Sequence, residues 1–265
     1  MKKYFAVAAI SFKVQLVYRF DVATNALEIA GRVLFAWLLW SAAFAGRGTV
    51  GGFELPDMLF YYVISAFLAS LNMSGGVSRE VSDRIRGGTF SKFMVIPANA
   101  QWNFWAQTMG ASSYYAIYGT AVTLLCAALF RIKPLFTADP AAVVCGVLLV
   151  PLGLTFMVCY HYFIGILAFK FQDIGFFLHV QNALLEFVTG GVVPLILLPG
   201  RVISALRFLP FTHTVYTPAM LLMGKADTAE GLFAICSLAA WTLAMAAANH
   251  FVYRRLRIKY DGVGI

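Results

Sequence analysis

Thirty-eight consecutive residues, Phe93 to Phe130, contain no Asp, Glu, Lys or Arg. A second uncharged run covers the 21 residues from Met58 to Ser78. About 20 apolar helical residues cross a bilayer, so runs of this length point to lipid rather than a water-soluble core. Similar stretches recur along the chain. Apolar side chains make up 61% of its 265 residues and charged ones only 12%, where soluble domains carry about 25%. The gaps between apolar runs, about 20–30 residues, are too short for an independent soluble domain. The expected fold class is an all-α polytopic membrane protein, one domain over residues 1–265.

Hydropathy predicts six transmembrane helices, at 22–45, 57–77, within 100–130, within 140–169, at 174–198 and at 228–253. The opening "MKKYFAVAAISFKVQLVYRF" begins like a secretory signal. Ser11, Lys13, Gln15 and Arg19 break its apolar part, however, and it lacks a convincing small-x-small cleavage site before Asp21. Residues 1–20 are expected instead as a retained interfacial helix. Basic residues set the orientation. With both termini cytoplasmic, the inner segments hold 13 Lys and Arg and the outer ones six. That bias accounts for most of the net charge of +8 and makes membrane lipids, not nucleic acid, the expected partner.

Between the two uncharged runs lies "SREVSDRIRGGTFSKFMVIPAN", Ser78 to Asn99, with six of the chain's 32 charges. The orientation makes it cytoplasmic. Val81 and Ile85 share one helical face, Glu80 and Arg84 are spaced for an ion pair, and Gly87-Gly88 supplies a stop. A second amphipathic piece, "TFSKFMVI", runs to Pro97. A solvated turn that sets topology is the plain reading; a docking helix for a soluble partner is the sharper one. The stretch Gly190–Lys225 holds Pro194, Pro199, Arg201, Arg207, Pro210, His213 and Pro218, too broken to cross a membrane. It fits either an extracellular loop or an outer re-entrant helical hairpin at about 200–224.

Polar groups at membrane depth are candidates for a substrate path. Glu28 and Arg32, four apart on the first span, form either a structural pair or part of an inner vestibule. Glu186, midway along the fifth span, has no local partner and could face a cavity, pair with Arg32 or be protonated. Cys126, Cys145, Cys159 and Cys236 lie in apolar runs without a C-x-x-C pair, and the four histidines have no metal-ligand spacing. The "HVQN" patch at His179 reads as interhelical hydrogen bonding, and the tyrosines of "YYAIY" and "YHY" could border a lipid-like path. The absence of G-x-x-x-x-G-K-[ST] means that any ATP binds elsewhere.

The chain resembles the permease subunits of type-two ABC exporters, and within them a bacterial branch that often pairs two half-permeases with one ATPase. The resemblance spans essentially the full length. It rests on "DRIRGGTFSKFMVIPAN" with Ile85, Gly88 and Pro97, and on the outer region with Gly191, Pro194, Pro199, Pro210, Phe211, Pro218 and Gly224. The closing "RRLRIKYDGVGI" is similar to the branch's basic tail. Ile96 departs from the basic residue that many members carry before the loop proline. The resemblance implies an ATP-driven exporter permease in a bacterial inner (plasma) membrane. Its coupling loop over 78–97 would meet a cytosolic ABC ATPase, present in two copies, through Arg79, Glu80, Asp83, Arg84, Ile85, Gly88, Phe90 and Pro97. Pro194, Pro199, Pro210, Phe211 and Pro218 would form an outer gate, and a second permease, identical or homologous, would complete the pathway. This chain would need no cofactor, ATP and Mg being bound by the partner ATPase. The substrate, whether drug, lipid, glycan or peptide, is left open. The rival readings are a proton-coupled secondary transporter using Glu186 or Asp173, and a membrane-embedded lipid-modifying enzyme.

Overall fold

In the computed structural model the described residues are 2–46, 48–95, 99–171, 174–191 and 193–257. They form helices and connecting turns without a named strand. The helix α1 (Lys2–Val17) is followed after one residue by α2 (Arg19–Ala43). Next come α3 (Leu55–Ser70), α4 (Gly75–Arg86) and the short α5 (Ser91–Val95). Two long helices follow, α6 (Ala100–Leu129) and α7 (Pro140–Ile166), and then α8 (Gly175–Val188). The chain then forms α9 (Gly200–Leu206) and α10 (Tyr216–Leu222) before closing with α11 (Thr228–Leu256).

Among the described residues five segments are long and apolar enough to cross a membrane: Phe20–Ala43, Leu55–Arg86, Ala100–Leu129, Pro140–Phe169 and Thr228–Leu256. The expected fifth span, 174–198, is not one helix. Its helical part, α8, has 14 residues, about 21 Å against a core of about 30 Å. It ends at Val188, six residues before Pro194, and a left-handed glycine follows two residues on, Gly190 with φ 79°. A Cβ there would sit 2.9 Å from the Tyr61 hydroxyl and 3.1 Å from Tyr216 Cβ, so the site demands glycine sterically as well as conformationally. The freed carbonyls are satisfied by protein: Tyr61 donates to the Gly190 carbonyl at 2.7 Å, and the Tyr216 amide to that of Thr189.

The second expected span, 57–77, is also broken. α3 stops at Ser70 and α4 starts at Gly75, so α4 takes in residues expected in the span as well as residues expected in the loop. The break is again closed by side chains. Ser112 on α6 donates to the Leu71 carbonyl at 2.6 Å, and Asn72 Oδ1 accepts from the amide and hydroxyl of Ser74.

α7 is the central post. It packs against α11 along its length, against α4 near its end and against α10. α10 is buried throughout from Tyr216 to Leu221, whereas α9 buries no residue. α1 lies along the first half of α6: Tyr4 accepts a hydrogen bond from the Asn99 amide, and Phe12 meets Tyr114 edge-on at 5.6 Å. The two backbones approach so closely that a Cβ on Gly110 would overlap the Ala8 carbonyl.

At Gly165 a Cβ would meet Val81 Cβ at 2.7 Å and the Ser78 carbonyl at 3.0 Å, so α4 and α7 cross nearly backbone to backbone. Gly165→Val should therefore destabilise the purified protein by about 1–3 kcal/mol, read as a lower melting temperature in detergent. Gly76→Ala, with open space at the added methyl, should leave it unchanged.

Candidate functional site

α4 divides its side chains by chemistry. Val77, Val81 and Ile85, four residues apart, are buried against α7 and the 3-10 turn Leu167–Phe169 that follows it. Arg79 and Asp83 are exposed, and Glu80 and Arg84 are half-buried. Arg84 bonds Glu80 through Nε and Nη2, as the i, i+4 spacing predicts, and lies 5.5 Å above the Phe93 ring. The helix ends before Gly88, which has φ 72°, and the chain folds back so that the Phe90 amide donates to the Arg84 carbonyl at 2.9 Å. Phe90, fully buried, then plugs between Phe93, Phe169 and Tyr253.

Burying an apolar side chain of this size contributes about 1.5–3 kcal/mol, whereas an exposed helical ion pair contributes about 0.3–0.5 kcal/mol. Four apolar anchors thus fix the elbow, and its charges are left to face outward. Ile85 and Phe90, expected at a contact surface, are anchors of that kind: their side chains face the core. Arg79, Glu80, Asp83 and Arg84 instead line one shallow depression with Thr89. Pro97 lies outside the described residues.

Arg32 joins two helices. Its Nη2 lies 3.0 Å from Glu28 Oε1 and 3.2 Å from Glu186 Oε1, tying α2 to α8. Both carboxylates are more than half exposed. Beside this triad a cavity of about 270 Å³ opens among α2, α3, α7 and α8. Arg32, Glu186, Asn182 and Thr189 line it on one side, and Asn72 and His161 on another. His161 Nδ1 lies 2.9 Å from the Met157 carbonyl, which only accepts, so Nδ1 carries the proton. Ser74 Oγ is also within 3.0 Å of Nδ1. Nε2 is then a bare acceptor, without a partner among the described residues. The cavity can therefore hold a polar or hydrogen-bonding group, or water.

The structure thus joins Glu28, Arg32 and Glu186. It adds Asn72, Ser74 and His161, which sequence reasoning left apart. The signal available for Asn72 and Ser74 was the cluster of small and amide residues in "LNMSGG", at the end of an otherwise apolar span. In the outer region Pro194, Pro210 and Pro218 are buried, Phe211 is half-buried and Pro199 is exposed. Phe211 meets Phe156 and Tyr160 of α7 edge-on, at 5.4 and 5.2 Å. Among the described residues no group of three or more His, Cys, Asp or Glu is placed to hold a metal. Asp173 is outside them.

Residues 31–264 match the family model described as ABC-2 family transporter protein. The chain belongs to the ABC-2 transporter family. ABC-2 membership makes it a multi-pass permease subunit of an ABC transporter, a transport component that is not itself catalytic and that associates with an ABC ATPase. No curated protein and no solved structure matches the chain.

Two further features of this ABC-2 permease can be tested at the bench. His213, between α9 and α10, donates through Nε2 to the Arg207 carbonyl and, as a neutral ring, accepts from the Thr217 hydroxyl through Nδ1, both at 3.0 Å. The ion pair of Arg207 with Glu230 stands beside it. Burial pushes the His213 pKa down to about 4, with the positive Arg207 contributing in the same direction. The unfolded state, with an ordinary histidine near 6.5, binds the proton first. This stabilising contribution is therefore present in full above pH ~6.5 and is lost as pH falls towards ~4. Melting temperatures measured over that range should fall less in His213→Gln than in the parent. A double-mutant cycle between Arg32→Met and Glu186→Gln should give a coupling of no more than about 1 kcal/mol, because the Glu186 carboxylate is more than half exposed and shares Arg32 with Glu28.

Proposed function

We propose that the chain is the membrane half of an exporter in a bacterial inner membrane, driven by a cytosolic ABC ATPase seated on the elbow formed by α4 and α5. The observation that carries this reading is the split of α4: one face welded to α7 by Val77, Val81 and Ile85, the other offering Arg79, Glu80, Asp83 and Arg84. A push on the charged face would be passed to α7, and through α7 to α11. Family membership supports the ATPase as the source of that push. In this reading both termini are cytoplasmic, and α1 rests at the membrane border. α8 and the turn after it supply a sixth crossing, and α9 with α10 forms an outer re-entrant hairpin that gates the exit.

A second permease, identical or homologous, is expected against α2 and α8. Phe176, Phe177, Leu184 and Phe187 of α8, and Leu34, Phe35 and Leu38 of α2, are exposed large apolar side chains. The Arg32 triad and its cavity then lie close to the shared pathway. Pairing of Glu186 with Arg32 argues against its service as a lone proton-coupling carboxylate.

Affinity purification of the permease should bring down its ATPase. Combining Glu80→Lys, Asp83→Lys and Arg84→Glu should reduce the bound ATPase by on the order of tenfold while the permease still inserts and elutes as a folded species. Retention at the parental level would contradict the assignment.

A further inference from the structure

A second cavity, of about 420 Å³, lies against a different face of α8 from the Arg32 site. Asn182 and Glu186, four apart, line the Arg32 cavity, whereas Phe177, Val180 and Leu184 line the second one. The opposite wall is Tyr160 and Ile164 of α7, with Phe211 of the 3-10 turn Pro210–His213. No charged side chain is in this lining, and its polar residues are Tyr160 and Gln181. The two spaces adjoin. Leu185, half-buried, lines both, and the rings of Tyr160 in one and His161 in the other stand 5.4 Å apart. A polar chamber and an apolar groove thus meet along one short helix.

The polar chamber restricts the head that fits it. His161 Nε2 is an acceptor without a partner among the described residues, and it keeps open surface. Asn72 accepts from Ser74 through Oδ1, which leaves its Nδ2 to donate, and Asn182 adds an exposed amide. Hydroxyl groups, which both donate and accept, answer such a mixture. Arg32 stands between two carboxylates, Glu28 and Glu186, so the charged groups sum to a surplus of one negative charge. An anionic head would meet repulsion there.

We propose that the two cavities form one binding site for an amphipath, with a hydroxyl-bearing head of no net negative charge in the Arg32 cavity and an apolar chain in the groove between α7 and α8. The chain leaves the head beside Leu185 and runs past Tyr160 and Leu184. Its burial supplies affinity, and the hydrogen bonds of the head supply selection. The proposal rests on reading the Arg32 cavity as part of the transport path. It then names the class of molecule carried: a neutral hydroxylated lipid, in preference to an anionic phospholipid or a wholly polar glycan.

The test uses two photo-reactive probes with the same hexadecyl chain and a diazirine midway along it, one with a glucosyl head and one with a phosphate head. Full-length permease, purified with any subunits that accompany it, is placed in phosphatidylcholine nanodiscs and illuminated with each probe. Labelled residues are mapped by mass spectrometry. The glucosyl probe should label the groove, at Tyr160, Ile164, Val180 and Leu184, at least about fivefold more than the phosphate probe, the effect of one hydrogen bond. Ile117 and Leu124, exposed on α6, should be labelled equally by both, as a surface in ordinary contact with lipid. Leu184→Trp, which fills the groove from an exposed position, should lower labelling there by both probes. His161→Phe should remove the glucosyl preference. Should that variant fail to fold, Asn182→Leu, at an exposed position, should at least halve the preference. Equal labelling of the groove by the two probes, or the same preference at Ile117 and Leu124, would overturn the proposal. So would a preference that Asn182→Leu leaves intact. Retention of an ATPase on α4 enters none of these readings, so the two assignments fail separately.

Discussion

Gly165 has no side chain, and α4 occupies the space that one would fill. This contact makes α4 part of the bundle instead of a pendant loop. With the backbones that close, Val77, Val81 and Ile85 reach the surface of α7, and Phe90 closes the end of the elbow against Phe169 and Tyr253. The apolar contribution outweighs the Glu80–Arg84 ion pair several-fold, so the charged side chains are not needed to hold the helix in place. They remain available to another surface.

The same economy governs the backbone between helices. The chain leaves the helical path between Ser70 and Gly75 and again after Val188. A carbonyl shielded from water needs a donor in the protein, and each break finds one. Ser112 supplies one for the first, and Tyr61 and the Tyr216 amide supply those for the second. Both breaks border the Arg32 cavity, through Asn72 and through Thr189 and Gly191. Irregular backbone thus coincides with the polar space of the bundle, the arrangement expected where a membrane protein must keep a wet surface inside.

Much of this could be read from residue order. The long uncharged runs showed the solvent, and the i, i+4 spacing of Glu80 with Arg84 and the Gly87-Gly88 stop located α4. The apolar spacing of Val81 and Ile85 was equally plain, but it indicates burial without saying against what. Ile85 and Phe90 were therefore grouped with the exposed charges. Hydropathy averages over a window and passed through the breaks at 71–74 and after Val188, because Leu, Met, Val and Gly raise the mean whether or not they are helical. The pairing of Glu186 with Arg32 was one of three options open in the sequence; it spans 154 positions and has no local signature that selects it. His161 gave no sign of its surroundings, since a lone histidine in an apolar run carries no partner with it.

The central claim is mechanical: the exposed face of α4 is where an external motor takes hold. A photo-activated cross-linker placed at Asp83 in the assembled transporter tests it most directly, with Ser204 on α9 as the control at the other end. Illumination should join position 83, and not position 204, to the ATPase. A cross-link from position 204, or none from position 83 in a particle that still hydrolyses ATP, would contradict the account.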